Sequence, residues 1–179
     1  MVLAADVDWT DFVPVSAVVL TLASFWWIWL RRGQLTVAPP HSYASTVSGA
    51  QLRIRFPLVI YNTGARAIIV ENLRLVVEGH VLEWISLRRT IRPMPDDVLD
   101  FAAPFPVAGR EARQVFVEFG EDAPPWRPEL GASYSVKIER KTGDRWKTLV
   151  EFTWWAPKND PGPYIAHRNA PGTRPAVDE

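Results

Sequence analysis

An antiparallel β-sandwich carried on one N-terminal membrane-spanning helix is the fold this sequence predicts. Three observations point to it. Residues 12–30 pass without a charged side chain. After Gly33 the apolar residues recur with period two, the repeat of a half-buried strand. Prolines and glycines then break the chain at short intervals, with no amphipathic helical pattern between them.

The helix comes first. Phe12 to Leu30 reads FVPVSAVVLTLASFWWIWL. At ~1.5 Å per residue, nineteen residues reach roughly 28 Å, close to the hydrocarbon thickness of a bilayer. Trp9 precedes the run, and Trp26, Trp27 and Trp29 crowd its end, as in the aromatic belts at the two headgroup levels. Pro14 falls in the first turn, where its missing N–H removes no helical bond. A cleaved leader would need a basic start and a small-residue cleavage site, whereas residues 1–11 carry Asp6, Asp8 and Asp11 and no base. Arg31 and Arg32 follow the run at once, so the positive-inside rule places the N-terminus outside and the β domain in the cytoplasm, at the inner membrane. Ala17, Thr21 and Ser24 line one stripe of the helix, where small residues permit close docking of a second helix.

The strands follow. Leu35–Val37 opens the domain. Leu52, Ile54, Phe56, Leu58 and Ile60 alternate with Arg53, Arg55, Pro57, Val59 and Tyr61, and Pro57 marks an edge or a bulge. Asn62-Thr63-Gly64 supplies a turn. Ala67–Val77 is rich in branched residues, with a slip of parity at Glu71-Asn72. Val81–Leu87, Val98–Phe101 and Arg113–Phe119 add strands. Ser133–Arg140 and Trp146–Trp155 form a hairpin over Lys141-Thr142-Gly143-Asp144. Tyr134, Val136 and Ile138 point inward on the first arm, and Trp146, Thr148, Val150, Phe152 and Trp154 share a face on the second. This makes seven or eight strands over residues 34–156. Their rhythm, the 62–64 turn and the closing hairpin resemble an immunoglobulin-like or fibronectin-III-like module, which implies two packed sheets and no particular activity. Residues 31–33 form a short basic linker, and 157–179 read as a Pro-rich flexible tail in which Tyr164 and Ile165 are the one sizeable apolar pair.

Composition narrows function. The chain has 179 residues, 47% of them hydrophobic, enough for one ordinary folded domain. Formal charge is zero, and nucleic acid is not an expected partner. Cysteine is absent, which excludes disulfides, thiolate metal sites and cysteine nucleophiles. Arginine outnumbers lysine 16 to 4, as in GC-rich bacterial genomes. His41, His80 and His167 are dispersed and frame no triad or metal motif. Asp96, Asp97 and Asp100 are dense but lack the spacing of a calcium loop. No phosphate loop or nucleophile elbow occurs. No cofactor, metal or catalytic residue is therefore expected. The expected role is protein interaction or accessory-subunit work at a bacterial membrane, with the bilayer as one partner and an unidentified protein, or a second copy, as the other. Trp126 in its Pro-rich loop, Trp155 beside Trp154, and the pair Arg88 and Arg89 are the candidate contact residues. The alternative is an envelope-facing module for carbohydrate or another surface polymer, built on exposed tryptophan.

Overall fold

The computed structural model describes residues 9–48, 51–91, 100–122, 125–158 and 164–171. The helical segment comprises α1 (Trp9–Phe25) and a π-helical turn, Trp26–Leu30. Twelve strands follow: β1 (Leu35–Val37), β2 (Ser42–Ser48), β3 (Gln51–Asn62), β4 (Ile68–Val70), β5 (Leu73–Val77), β6 (His80–Arg88), β7 (Asp100–Phe101), β8 (Phe105–Val107), β9 (Ala112–Asp122), β10 (Ser133–Thr142), β11 (Arg145–Trp155) and β12 (Ile165–Arg168). All the pairings are antiparallel.

The expected continuous α-helix over 12–30 is not what forms. The α winding ends at Phe25, and the last turn widens so that Arg31 N–H donates to the Trp26 carbonyl at 2.9 Å. No helix among the described residues is long and apolar enough to cross a membrane.

The domain is mainly β and antiparallel, as expected. One ten-stranded antiparallel sheet, in the order β11-β10-β5-β6-β9-β3-β2-β12 with β1 added on β3 and β7 on β6, curls into a half-barrel. A separate ribbon pairs β4 with β8. The physical cause is strand length. β3 and β9 pair over eleven positions, from Gln51↔Asp122 to Tyr61↔Ala112, and strands this long, each twisted relative to the next, curl rather than stay flat. The irregularities at Trp84/Ser86 and Ile138/Glu139 sharpen the bend.

Alternation explains most elements. On β3, Leu52, Ile54, Phe56, Leu58 and Ile60 are fully buried on the concave face. Val115, Val117 and Phe119 of β9 join them, as do Tyr134, Val136 and Ile138 of β10. On β11 the expected face holds for Val150, Phe152 and Trp154, while Thr148 is exposed. The bulge opposite Glu139 accounts for that switch: Ile138 pairs with Val150 and Glu139 with Thr148, so Leu149 is skipped. The slip at Glu71-Asn72 is the break between β4 and β5. Pro57 sits opposite the stretch 38–41, between β1 and β2, where β3 lacks a ladder partner on that side.

Ile165–Arg168, inside the stretch read as a flexible tail, pairs with Ser42–Ser45 as β12. The two end strands of the sheet then approach one another. Asn169, just past β12, accepts from Trp155 N–H through Oδ1 at 3.0 Å and donates through Nδ2 to the Thr153 carbonyl at 2.8 Å. Tyr43 on β2 donates its hydroxyl to the Trp155 carbonyl at 2.5 Å. Side chains thus satisfy the end of the β11 edge, which would otherwise be free to pair with another chain.

Candidate functional site at the helix–domain junction

The helical segment contrasts with the domain that follows. Every residue from Pro14 to Leu30 is exposed, including Val18, Leu20, Leu22, Trp26, Trp27 and Trp29, and none is charged. The domain buries none of this apolar surface. It holds only the end of the helix, through the Arg110 side chain and the backbone of the residues that follow.

Three short segments make the joint. The Arg31 carbonyl accepts from Ala65 N–H at 3.1 Å, and the Gln34 carbonyl accepts from Thr63 N–H at 3.1 Å. Gln34 N–H returns a bond to Thr63 Oγ1 at 3.0 Å. Gly33 and Gly64 touch so closely that a Cβ on either would overlap the other's backbone. Gly109 lies on the Ala65 carbonyl in the same way. Asn62 is fully buried, and its amide binds the carbonyls of Arg66 at 2.8 Å and Val107 at 3.1 Å, fixing the turn. Arg110, in the turn before β9, has φ +59°, a left-handed conformation that costs a non-glycine residue about 1 kcal/mol or more. Its guanidinium donates from Nη2 to the Trp27 carbonyl at 2.7 Å, satisfying one of the orphan acceptors of the last turn. The Arg31 guanidinium lies 4.1 Å from the centre of the Trp27 ring.

The expected site residues fall in different environments. Thr21 bonds the Ala17 carbonyl of its own helix at 2.7 Å, and Ala17, Thr21 and Ser24 all lie on the exposed helix. Arg88 is partly buried, with Nη2 3.6 Å from Glu118 Oε1 and Nε donating to Ser86 Oγ at 3.2 Å, while Arg89 is exposed nearby. Trp126 is partly buried: it stacks on His80 at 5.1 Å and meets Tyr134 edge-on at 5.4 Å. Trp155 is half-buried and Trp154 is fully buried, so the two indoles do not form an exposed pair. The structure does not bring these residues together into one site. Asp96 and Asp97 lie outside the described residues, and Asp100 is exposed on β7. Among the described residues no group of His, Asp and Glu is arranged to hold a metal ion.

Two buried polar features stand out. On the convex face, Arg55 and Glu118 are both buried and joined by Nε and Nη2 to Oε2 at 3.3 and 3.0 Å. Arg55 Nη1 donates to the Thr90 carbonyl at 2.8 Å, and Tyr164 donates its hydroxyl to Glu118 Oε2 at 3.1 Å. Burial first, and then the Glu118 charge, hold the Tyr164 hydroxyl well above the usual phenol range. The cluster clasps the chain before β12 and the chain after β6 onto the sheet. An alternating Arg-Arg pattern on β3 gave no sign that one of the two would be buried.

The second feature is His167 on β12. It is buried, stacks on Tyr43 at 5.2 Å, and neither ring nitrogen has a hydrogen-bond partner among the described residues. Burial lowers its pKa from the usual imidazole value of 6.5. The folded state therefore binds this proton less readily than the unfolded chain. Stability contributed by neutral His167 is present above the unfolded pKa and falls as pH drops below about 6.5. Urea unfolding at pH 7.5 and at 5.0 is expected to show this loss, and His167→Phe is expected to flatten it. An unchanged pH slope in the variant would assign the acid sensitivity elsewhere.

Shallow grooves complete the surface. One of about 360 Å³ runs over Pro39, Pro40, His41, Pro57, Val59 and Phe116, and another of about 470 Å³ over Arg53, Glu83, Gly120 and Asp122. Neither gathers an acid, a base and a nucleophile. What the geometry defines is a mainly β domain with an exposed apolar helix joined to it at residues 31–34. No family model matches the chain, and no curated protein matches it at significant similarity.

Proposed function

We propose that this chain is a non-catalytic, membrane-anchored β-domain protein, with the helical segment in the bilayer and the curled sheet held at the cytoplasmic surface as an accessory or protein-interaction subunit. One observation carries the reading: residues 14–30 expose an uncharged surface, and the domain joins that segment through the Arg110 side chain at its last turn and through backbone bonds of Arg31 and Gln34 just beyond it, instead of folding it into the core. A helix apolar all round wants an apolar environment. The seventeen α-helical residues reach roughly 25 Å, and the π-helical turn with its three tryptophans extends them to the headgroup level. The close backbone joint of Gly33 with Gly64 supports a role in which the domain's position relative to the membrane matters. Tethering would raise its local concentration beside a membrane-bound partner. Arg89 and the exposed part of Trp126 are the residues offered to such a partner.

The chain has no cysteine, so Asp144→Cys in the exposed β10–β11 turn introduces a single reactive thiol. The protein is expected in the membrane fraction of expressing cells, with Cys labelling by an impermeant maleimide only after lysis. Recovery in the soluble fraction would remove the anchor. Labelling of intact cells, with the probe shown to reach the periplasm, would reverse the orientation and favour a surface-polymer ligand.

A further inference from the structure

We infer that the helix–domain junction is a binding collar for anionic phospholipid headgroups, built from Arg31, Arg32, Arg66 and Arg110. The inference rests on the membrane-anchored reading above. Along the chain these arginines lie far apart, in segments 31–34, 62–66 and 108–111. The fold stacks the segments: Gly33 on Gly64, and Gly109 on Ala65. Each contact is backbone against backbone, so the arginines flanking these glycines cannot move apart without breaking the joint. The three segments hold four arginines and one acid, Glu111, a net charge of 4 − 1 = +3. None of the four arginines forms an ion pair with a described carboxylate. Arg32, Arg66 and Arg110 are exposed, and Arg31 is partly so.

The location decides the ligand. The Arg110 guanidinium bonds the Trp27 carbonyl, and the Arg31 guanidinium lies on the Trp27 ring, so these two charges sit level with Trp27, and Arg32 and Arg66 flank them in the same joined segments. Indoles of that kind occupy the headgroup layer. A cluster of arginines at that depth meets phosphate oxygens, which planar guanidinium donors fit. A nucleic acid or an acidic protein would need the same charges free of the bilayer. Arg110 also explains its own strain: the left-handed position would suit glycine, and arginine there ties the collar to the helix.

The test uses the full-length chain in phosphatidylcholine vesicles containing an equal small fraction of either dibrominated phosphatidylcholine or dibrominated phosphatidylglycerol. Bromine quenches nearby tryptophan, and Trp26, Trp27 and Trp29 report on the collar. Quenching by the brominated neutral lipid is expected, because the anchor lies in the bilayer. Brominated anionic lipid is expected to be enriched roughly two- to fivefold around the protein, an excess removed by salt at about 0.5 M. Arg32→Gln with Arg66→Gln should remove most of the excess and leave quenching by the neutral lipid and the melting temperature unchanged, since both side chains are exposed. Equal quenching by the two lipids, or an excess that survives the double substitution, would overturn the collar while leaving the anchor standing. No quenching by either lipid would overturn the anchor and the collar together.

Discussion

Replacing Glu118 by alanine is expected to lower the domain's stability by about 3–5 kcal/mol, the cost of leaving a buried charge without its counterion. Arg55 and Glu118 are 2% and 4% exposed, so solvent cannot take over the role of the lost carboxylate. Arg55 would keep its bonds to the Thr90 and Ile91 carbonyls but lose both bonds to Oε2. Tyr164 would lose its acceptor at the same time, loosening the chain just ahead of β12. The double substitution Arg55→Met, Glu118→Leu is expected to recover much of the loss, because an apolar pair avoids the desolvation penalty of the ions. Urea unfolding of the two variants and the parent checks this. A double variant as unstable as Glu118→Ala would show that shape, not charge, governs the site.

Trp154→Ala is expected to be comparably damaging, about 3–5 kcal/mol, through lost burial and the cavity left behind. Its indole is fully buried, edge-on to Tyr43 at 5.7 Å and tilted against Tyr134 at 5.7 Å. Those contacts join β11 to β2 across the curl, at the point where Tyr43 and Asn169 satisfy the β11 edge. Trp155→Ala removes a ring that is only partly buried and is expected to cost distinctly less. Thermal unfolding of both variants separates them. Equal losses would contradict the inward assignment of Trp154 and with it the register of the β10–β11 hairpin.

The hairpin and its inward face near Trp154 were legible in the residues themselves, although the skip at Leu149 was not. Tyr134, Val136 and Ile138 alternate with polar neighbours, and the Gly143-Asp144 turn sets the pairing, with Gly143 at φ +57° as such a turn requires. β3 and β9 were equally plain, because long alternation on a sheet with one wet face leaves few choices. Three strands were not legible. β2 reads SYASTVS, with Ser45 buried where alternation leads one to seek an apolar residue. β8 carries Pro106 in FPV. β12 is four residues long, in a stretch rich in proline and glycine. β2 and β12 form on the edge of a longer neighbour, and β8 pairs with the equally short β4, tertiary conditions that no local pattern carries.

The candidate site divides along the same line. Composition and hydropathy alone determined that residues 12–30 form an uncharged apolar segment flanked by Arg31 and Arg32, and that the rest is an antiparallel β domain without cysteine chemistry. Those properties are sums over near neighbours in the chain. The tertiary structure alone decided that most strands join one curled sheet, that Arg55 and not Arg53 is buried, and that Arg110 joins the helix end. The physical reason is that curl and burial depend on which backbones can approach. Gly33, Gly64 and Gly109 look like ordinary turn residues until the strands pair and press them together.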